Sequence, residues 1–389
     1  MKIKSCFTAF LVIIFSIHLV SCKTKTVENQ HQNNQNEPTQ TSNEPTLDEK
    51  IGQMLLIGFR GAALSDDNHI VKDIKNLNIG GVVLYDFDLF SNGKTQRNIT
   101  SPDQVKSLCT ALQTLSNTKL LISIDQEGGR VNRLKTVYGF PKVGVSAQYL
   151  GTLNNLDSTR YYANLTANLL KNLGINFNYA PVVDLNINPK SPAIGGIERS
   201  YSKDAKVVTE HASAVLDIYK KYGIIGCLKH FPGHGSAAAD SHLGITDITK
   251  TWQKSELIPY KDLIASSKVE MIMTAHVYNA NLDTFPATLS KIIMHDILRE
   301  QLGWQGIIIS DDMHMGAIAQ HYGLEIAIEK AINAGVDILM FSNNSRDFYD
   351  AEAASKAIAT IKKLLKEGKI TEAQIEKSYQ KIMKLKTEM

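Results

Sequence analysis

Seven consecutive residues, Lys229-His230-Phe231-Pro232-Gly233-His234-Gly235, set one lysine and two histidines on a Gly/Pro-rich segment, and Asp240-Ser241-His242 follow shortly after. An imidazole with a near-neutral pKa can give a proton to a leaving oxygen and then take one from water. Asp240 lies two residues before His242, close enough to fix the ring's tautomer and stabilise its protonated form. The plain alternative is a surface Asp-x-His with no role. Asp311 directly follows the run Ile307-Ile308-Ile309-Ser310. A carboxylate on a rigid strand end can attack an anomeric carbon and form a covalent glycosyl intermediate. Asp311 could equally cap the following helix, although Asp312, one residue further from the strand, is the better candidate for that job.

Other groups suit ligand binding. Lys229 ends an apolar run, so it should face a pocket or pair with a carboxylate, because burying it alone is costly. With His230 it suits contacts to sugar hydroxyls. His230 and His234 have the i, i+4 spacing of a metal pair on a helix, but Pro232 and Gly233 break any helix there. No third ligand is obvious, so no metal or other cofactor is expected, and His234 reads as a loop-packing residue. In Asp125-Gln126-Glu127-Gly128-Gly129-Arg130-Val131-Asn132-Arg133, the glycines allow a tight loop. Asp125 can accept two hydroxyl hydrogen bonds and Arg133 can donate several. Glu127 can pair with Arg130. Arg199 could reach the same pocket with Glu198 holding it, or the two could form a surface ion pair.

These groups need a scaffold. Short apolar runs recur at Met54–Gly58, Gly81–Leu84, Leu120–Ile124, Ile175–Tyr179, Ile225–Leu228, Met271–Thr274, Gly306–Ser310 and Val336–Phe341. Most are continuously apolar, as in a parallel sheet covered on both faces. Ile175–Tyr179 is the exception, since Asn176 and Asn178 alternate with apolar residues. Amphipathic stretches lie between the runs, among them Asp157–Leu173 and Asp204–Tyr222, and the chain ends in helical patterns at Ala351–Leu365 and Glu372–Leu385. Eight such units predict a single (β/α)8 barrel of the TIM type. An open doubly wound sheet is the competing architecture, but the Gly-rich phosphate fingerprints that often accompany it are absent. The barrel predicts that functional groups follow strands. Asp125, Asp184, Lys229, His230, His276, Asp311, Ser342, Asn343 and Asn344 all do.

The 389 residues, 43% of them hydrophobic, suffice for one large core. A net charge of +3, from 42 basic and 39 acidic residues, gives no electrostatic footprint for nucleic acid. None of the four cysteines forms a C-x-x-C pair, and Cys227 reads as a small buried thiol. Residues 1–21 read as a secretory signal, with Lys2 and Lys4 before the apolar Phe7–Val20. Leu19-Val20-Ser21-Cys22 resembles a bacterial lipobox, which implies lipid on Cys22 and a cell-envelope location in the periplasm or at the outer membrane. Residues 22–45, rich in Asn, Gln, Thr and Glu, cannot bury enough surface to fold and read as a flexible tether of about 25–30 Å mean reach. The catalytic barrel is then 46–389, expected to act as a monomer.

Taken together, Gly80–Leu84, Asp125–Val131, Glu198–Ser200, Lys229–Gly235, Pro286-Ala287-Thr288-Leu289-Ser290 and Ser310–Met313 resemble glycoside hydrolase family 3 in its β-N-acetylglucosaminidase branch. The resemblance implies Asp311 as nucleophile, His242 as acid/base and Asp240 as its partner. It implies Asp125, Arg133, Arg199, Lys229 and His230 as the groups that hold a terminal N-acetylglucosamine. It further implies retention of configuration and substrates derived from peptidoglycan or chitin; host glycans remain open. Phosphorolysis, β-glucosidase activity and non-catalytic glycan binding are the competing readings. Two positions depart from the family pattern: Tyr85-Asp86-Phe87-Asp88 replaces a polar, Asn-containing loop, and His314 replaces a small polar residue.

Overall fold

The computed structural model describes residues 44–240 and 244–389. Among the described residues there are ten strands: β1 Leu55–Gly58, β2 Gly81–Leu84, β3 Leu121–Ile124, β4 Phe177–Asn178, β5 Ile225–Phe231, β6 Thr246–Asp247, β7 Met271–Thr274, β8 Val277–Tyr278, β9 Ile307–Ile309 and β10 Leu339–Phe341. Eight form one parallel sheet in the order β10-β1-β2-β3-β4-β5-β7-β9. A bridge between Ile309 and Ile338 joins the ends, with Asp337 N donating to Ile308 O at 2.8 Å and Ser310 N to Ile338 O at 2.9 Å. The sheet is therefore closed into a barrel, and the open doubly wound alternative is excluded. β6 and β8 form a separate two-stranded ribbon beside the C-terminal ends of β5 and β7.

The barrel strands are buried on both faces because helices cover the outside. Among the described residues these are α1 Leu47–Gln53, α2 His69–Leu77, α3 Pro102–Leu115, α4 Ala147–Leu153, α5 Leu156–Leu173, α6 Ala205–Tyr222, α7 Ile258–Ala265, α8 Gly316–Ala334, α9 Ala353–Lys366 and α10 Glu372–Glu388, and the longest are α5, α6, α8 and α10. Sequence signals explain their limits. Asp204 caps α6 by accepting from Lys206 N, and the helix stops at Gly223, whose φ of 69° suits a residue without Cβ. Thr371 opens α10 with a capping box to Gln374. Among the described residues, no helix is long and apolar enough to cross a membrane.

Two strands differ from expectation. β4 has only two residues, and asparagine side chains add to its backbone pairing with β3. Asn176 accepts from Ile122 N and donates to Leu120 O, both at 2.8 Å, and Asn178 makes the same pair of bonds to Gln126 N and O at 2.9 Å. The alternation that set this run apart in the sequence is thus a side-chain extension of the sheet. β5 runs three residues further than its apolar run, so Lys229 and His230 lie within the strand and not on a loop. Val183 N donates to Lys229 O at 3.0 Å, Ala275 N donates to Phe231 O at 2.7 Å, and Phe231 packs edge-on against Tyr260. Pro232, which has no N–H, follows its last residue.

Candidate active site

A pocket of about 220 Å³ lies at the C-terminal ends of the barrel strands. Asp125, Arg133, Arg199, Lys229, His230, Asp240 and Asp311 all line it, beside Tyr85, Tyr179, Met315 and Asn344. Residues spread from Tyr85 to Asn344 therefore converge on one cavity. His242 and Cys22 lie outside the described residues, as do the signal segment and nearly all of the tether.

The floor is a buried ion network. Lys229, 2% exposed, sits 2.7 Å from Asp125 and 2.6 Å from Glu127. Glu127 also takes Arg199 in a two-pronged pair, Nη2 at 2.7 Å and Nε at 2.8 Å. Burial pushes the Glu127 carboxyl up, but the opposed charges of Arg199 and Lys229 outweigh it and hold it at about 2. The same contest leaves Asp125 below its ordinary value, with Lys229 and then Arg133 overcoming burial. Glu127 thus pairs with Arg199 and Lys229 rather than with Arg130, which is exposed. Nor does Glu198 hold Arg199: Glu198 is exposed, and the arginine is in a buried pair, not a surface one.

Asp184 anchors the histidines. Its carboxylate accepts from His230 Nδ1 at 2.7 Å, from His230 N at 3.2 Å and from His234 N at 2.8 Å. Burial raises its pKa, but His230 and these donors bring it below the usual range. With Nδ1 committed, His230 Nε2 faces Arg199 Nη2 at 3.4 Å. His234 is 3% exposed, and burial lowers it to about 4. Gly235 permits this fold of the loop, since a Cβ there would lie 1.7 Å from Leu185 O.

Arg133 is held more loosely. It lies 3.7 Å from Asp125 and 3.6 Å from the fully buried Asp86, which is paired with Lys135 at 2.5 Å. Its Nε has no hydrogen-bond partner among the described residues. Asp86 belongs to the Tyr85–Asp88 segment that departs from the family pattern, and it gives that segment a role as a counter-charge. Arg97 fastens the neighbouring wall, donating to Phe59 O at 2.9 Å, Asn344 Oδ1 at 3.0 Å and Asn343 O at 2.9 Å. Glu127, Asp184, Asp86 and Arg97 were not singled out as binding groups in the sequence. Asp184 carried a usable signal, its place just past β4; the other three act through partners 38–247 residues away.

Asp311 follows β9. Neither it nor Asp312 caps α8, whose N-cap is Met315 with no side-chain bond. Asp312 instead clips β9 to β10, its carboxylate accepting from Ser342 N at 2.8 Å, His314 N at 3.1 Å and the Ser342 hydroxyl. The His314 ring packs edge-on between Phe341 and Phe348, so an aromatic body is what this position uses. Asp311 Oδ1 accepts from Asp312 N at 2.8 Å.

The family model for the glycosyl hydrolase family 3 N-terminal domain matches residues 46–385. The chain belongs to glycosyl hydrolase family 3. Within this family it is 31% identical over 383 residues to a protein named beta-hexosaminidase A from Pseudoalteromonas piscicida, covering 88% of this chain and 61% of the relative. It therefore spans about three fifths of that protein's length. It is 33% identical over 294 residues to a beta-hexosaminidase from Tolumonas auensis, covering 75% of this chain and 83% of the relative. A solved family 3 β-N-acetylglucosaminidase from Paenibacillus sp. superposes with a TM-score of 0.79 at 32% identity, covering 89% of this chain and 63% of the other.

Proposed function

We propose that this family 3 protein is a retaining exo-β-N-acetylhexosaminidase that removes terminal β-linked N-acetylhexosamine from peptidoglycan- or chitin-derived oligosaccharides. The observation that carries the reading is the convergence of Asp311 with Asp125, Arg133, Arg199, Lys229 and His230 on one pocket. The names of the relatives supply the sugar class. Asp311 attacks the anomeric carbon while His242 protonates the leaving oxygen, giving a glycosyl-Asp311 ester. His242, oriented by Asp240, then takes a proton from the water that opens the ester, and the second displacement restores the β configuration. The ionised Asp125 accepts sugar hydroxyls, and Arg133, which lines the same pocket, donates to them. Arg199, Lys229 and His230 complete the cradle.

The same proposal includes residues 1–21 as a lipoprotein signal, lipid on Cys22, a tether over 22–45, and a monomer in the cell envelope. The first test compares aryl β-N-acetylglucosaminide with aryl β-glucoside, with and without phosphate. Preference for the acetylated sugar with free sugar as product is expected. Turnover of the glucoside alone contradicts the proposed sugar, and a sugar 1-phosphate product contradicts hydrolysis.

A further inference from the structure

His276 and the Pro286–Ser290 motif take no part in the chemistry above, yet they meet behind Asp311. His276 Nε2 lies 2.8 Å from Asp312 O, and a carbonyl can only accept, so Nε2 carries the hydrogen. In a neutral ring Nδ1 is then the acceptor, and the Thr288 hydroxyl is 2.8 Å from it. Thr288 has one proton to give. With that proton on Nδ1, its oxygen accepts from the Thr274 hydroxyl at 2.7 Å. Thr274 Oγ1 in turn accepts from Asp311 N at 3.2 Å. Thr288 has a second possible acceptor, Ala275 O, but at the longer distance of 3.1 Å. Thr274, His276 and Thr288 are all completely buried, where each lost hydrogen bond has its full cost.

We propose that Thr274, Thr288 and His276 form a directional hydrogen-bond relay that positions the Asp311 carboxylate for attack. The relay holds the Asp311–Asp312 dipeptide at both ends: Thr274 takes the Asp311 N–H, and His276 gives to the Asp312 carbonyl. From the opposite side, Ser342 on the β10 end binds the Asp312 carboxylate. The dipeptide backbone is thereby fixed between two barrel strands, and Asp312 N donates to the Asp311 carboxylate at 2.8 Å. These three residues touch no substrate; they are positioning residues. The inference rests on Asp311 as the nucleophile.

The test is an ordered pair of substitutions, assayed on an activated aryl β-N-acetylglucosaminide. Thr288→Val keeps the side chain's size and removes the hydroxyl; Thr288→Ser keeps the hydroxyl and removes a methyl. The relay predicts that Thr288→Val lowers kcat about 10- to 100-fold, as sub-ångström misplacement of a reacting group does. KM should stay within about twofold, and Thr288→Ser should stay within about threefold of the wild type in kcat. Thr274→Val should behave like Thr288→Val, and the double variant should be no worse than the weaker single, because the groups act as a chain. A role in packing alone predicts the reverse order, with serine worse than valine. That order, or an unchanged kcat in Thr288→Val, overturns the relay. Should Thr288→Val fail to fold, Thr274→Val carries the same expectation. Retained turnover in Asp311→Ala refutes the nucleophile assignment itself, whichever order the Thr288 pair shows.

Discussion

Replacing Glu127 with Gln removes the charge on which the pocket floor depends. The carboxylate holds three donor contacts, from Arg199 Nη2, Arg199 Nε and Lys229 Nζ, all within 2.8 Å. Its own side chain is 7% exposed, and Arg199 and Lys229 are 11% and 2% exposed, so solvent screens the pairs little. The carboxyl is held at about 2 against an ordinary 4.5. At about 1.4 kcal/mol per tenfold change in proton affinity, that gap corresponds to about 3 kcal/mol of folding stability. The sign follows from the lowered value. The unfolded chain takes up the proton near pH 4.5 and the folded one only near pH 2, so the contribution is complete above about pH 4.5 and lost as pH falls toward 2. Breaking a buried pair from one side costs about 3–5 kcal/mol by analogy with other proteins, which agrees. For a domain of this length the expected loss in melting temperature at pH 7 is about 4–7 °C. Thermal melts of wild type and Glu127→Gln at pH 7, 5, 4 and 3 measure it, with the gap narrowing below about pH 4.5. KM should rise as well, because Arg199 loses its brace. A variant as stable as wild type at pH 7, or a deficit that does not change with pH, would show that the Glu127 charge does not hold the pocket floor.

Lys386 gives a pH dependence in the alkaline range. It is 4% exposed, hydrogen-bonds Gln53 Oε1 at 2.6 Å and Gly80 O at 2.7 Å, and burial pushes it down to about 7. Between about pH 7 and 10 the unfolded chain holds the extra proton, so wild-type stability should rise relative to Lys386→Met by about 3–4 kcal/mol across that window; a flat difference in urea titrations contradicts this. His242→Ala should slow natural disaccharides far more than activated aryl glycosides, since good leaving groups need little protonation; equal losses would argue against a proton donor. Cys22→Ala should move the protein from the membrane to the soluble fraction, and persistence in the membrane would count against the lipid anchor.

How much the sequence discloses depends on how local the physics is. The barrel was legible because each strand is an apolar run of four or so residues with an amphipathic helix after it, and β2 and β7 match their runs end to end. The shortness of β4 was not legible, although the two asparagines whose side chains add to its pairing stood out. Neither was the extension of β5, because its last residues are held by Val183 and Ala275, which belong to neighbouring segments. For the site, residues at strand ends could be named from position alone. The pairings could not. Glu127 finds Arg199 across 72 residues and Asp86 lies beside Arg133 across 47, and only the closed barrel brings them together. His314 shows the same limit, since its partners Phe341 and Phe348 come from the segment at and beyond β10.

In the proposed mechanism Asp311 forms a covalent bond to the sugar. A 5-fluoro-N-acetylglucosaminyl fluoride should trap that ester, because the C5 fluorine slows both steps while the fluoride leaving group keeps the first one fast. Peptide mapping by mass spectrometry of the inactivated protein is expected to find one sugar per chain, on the peptide that contains Asp311, and none on Asp311→Ala. A label on another carboxylate, or steady turnover with no label at all, would contradict the account.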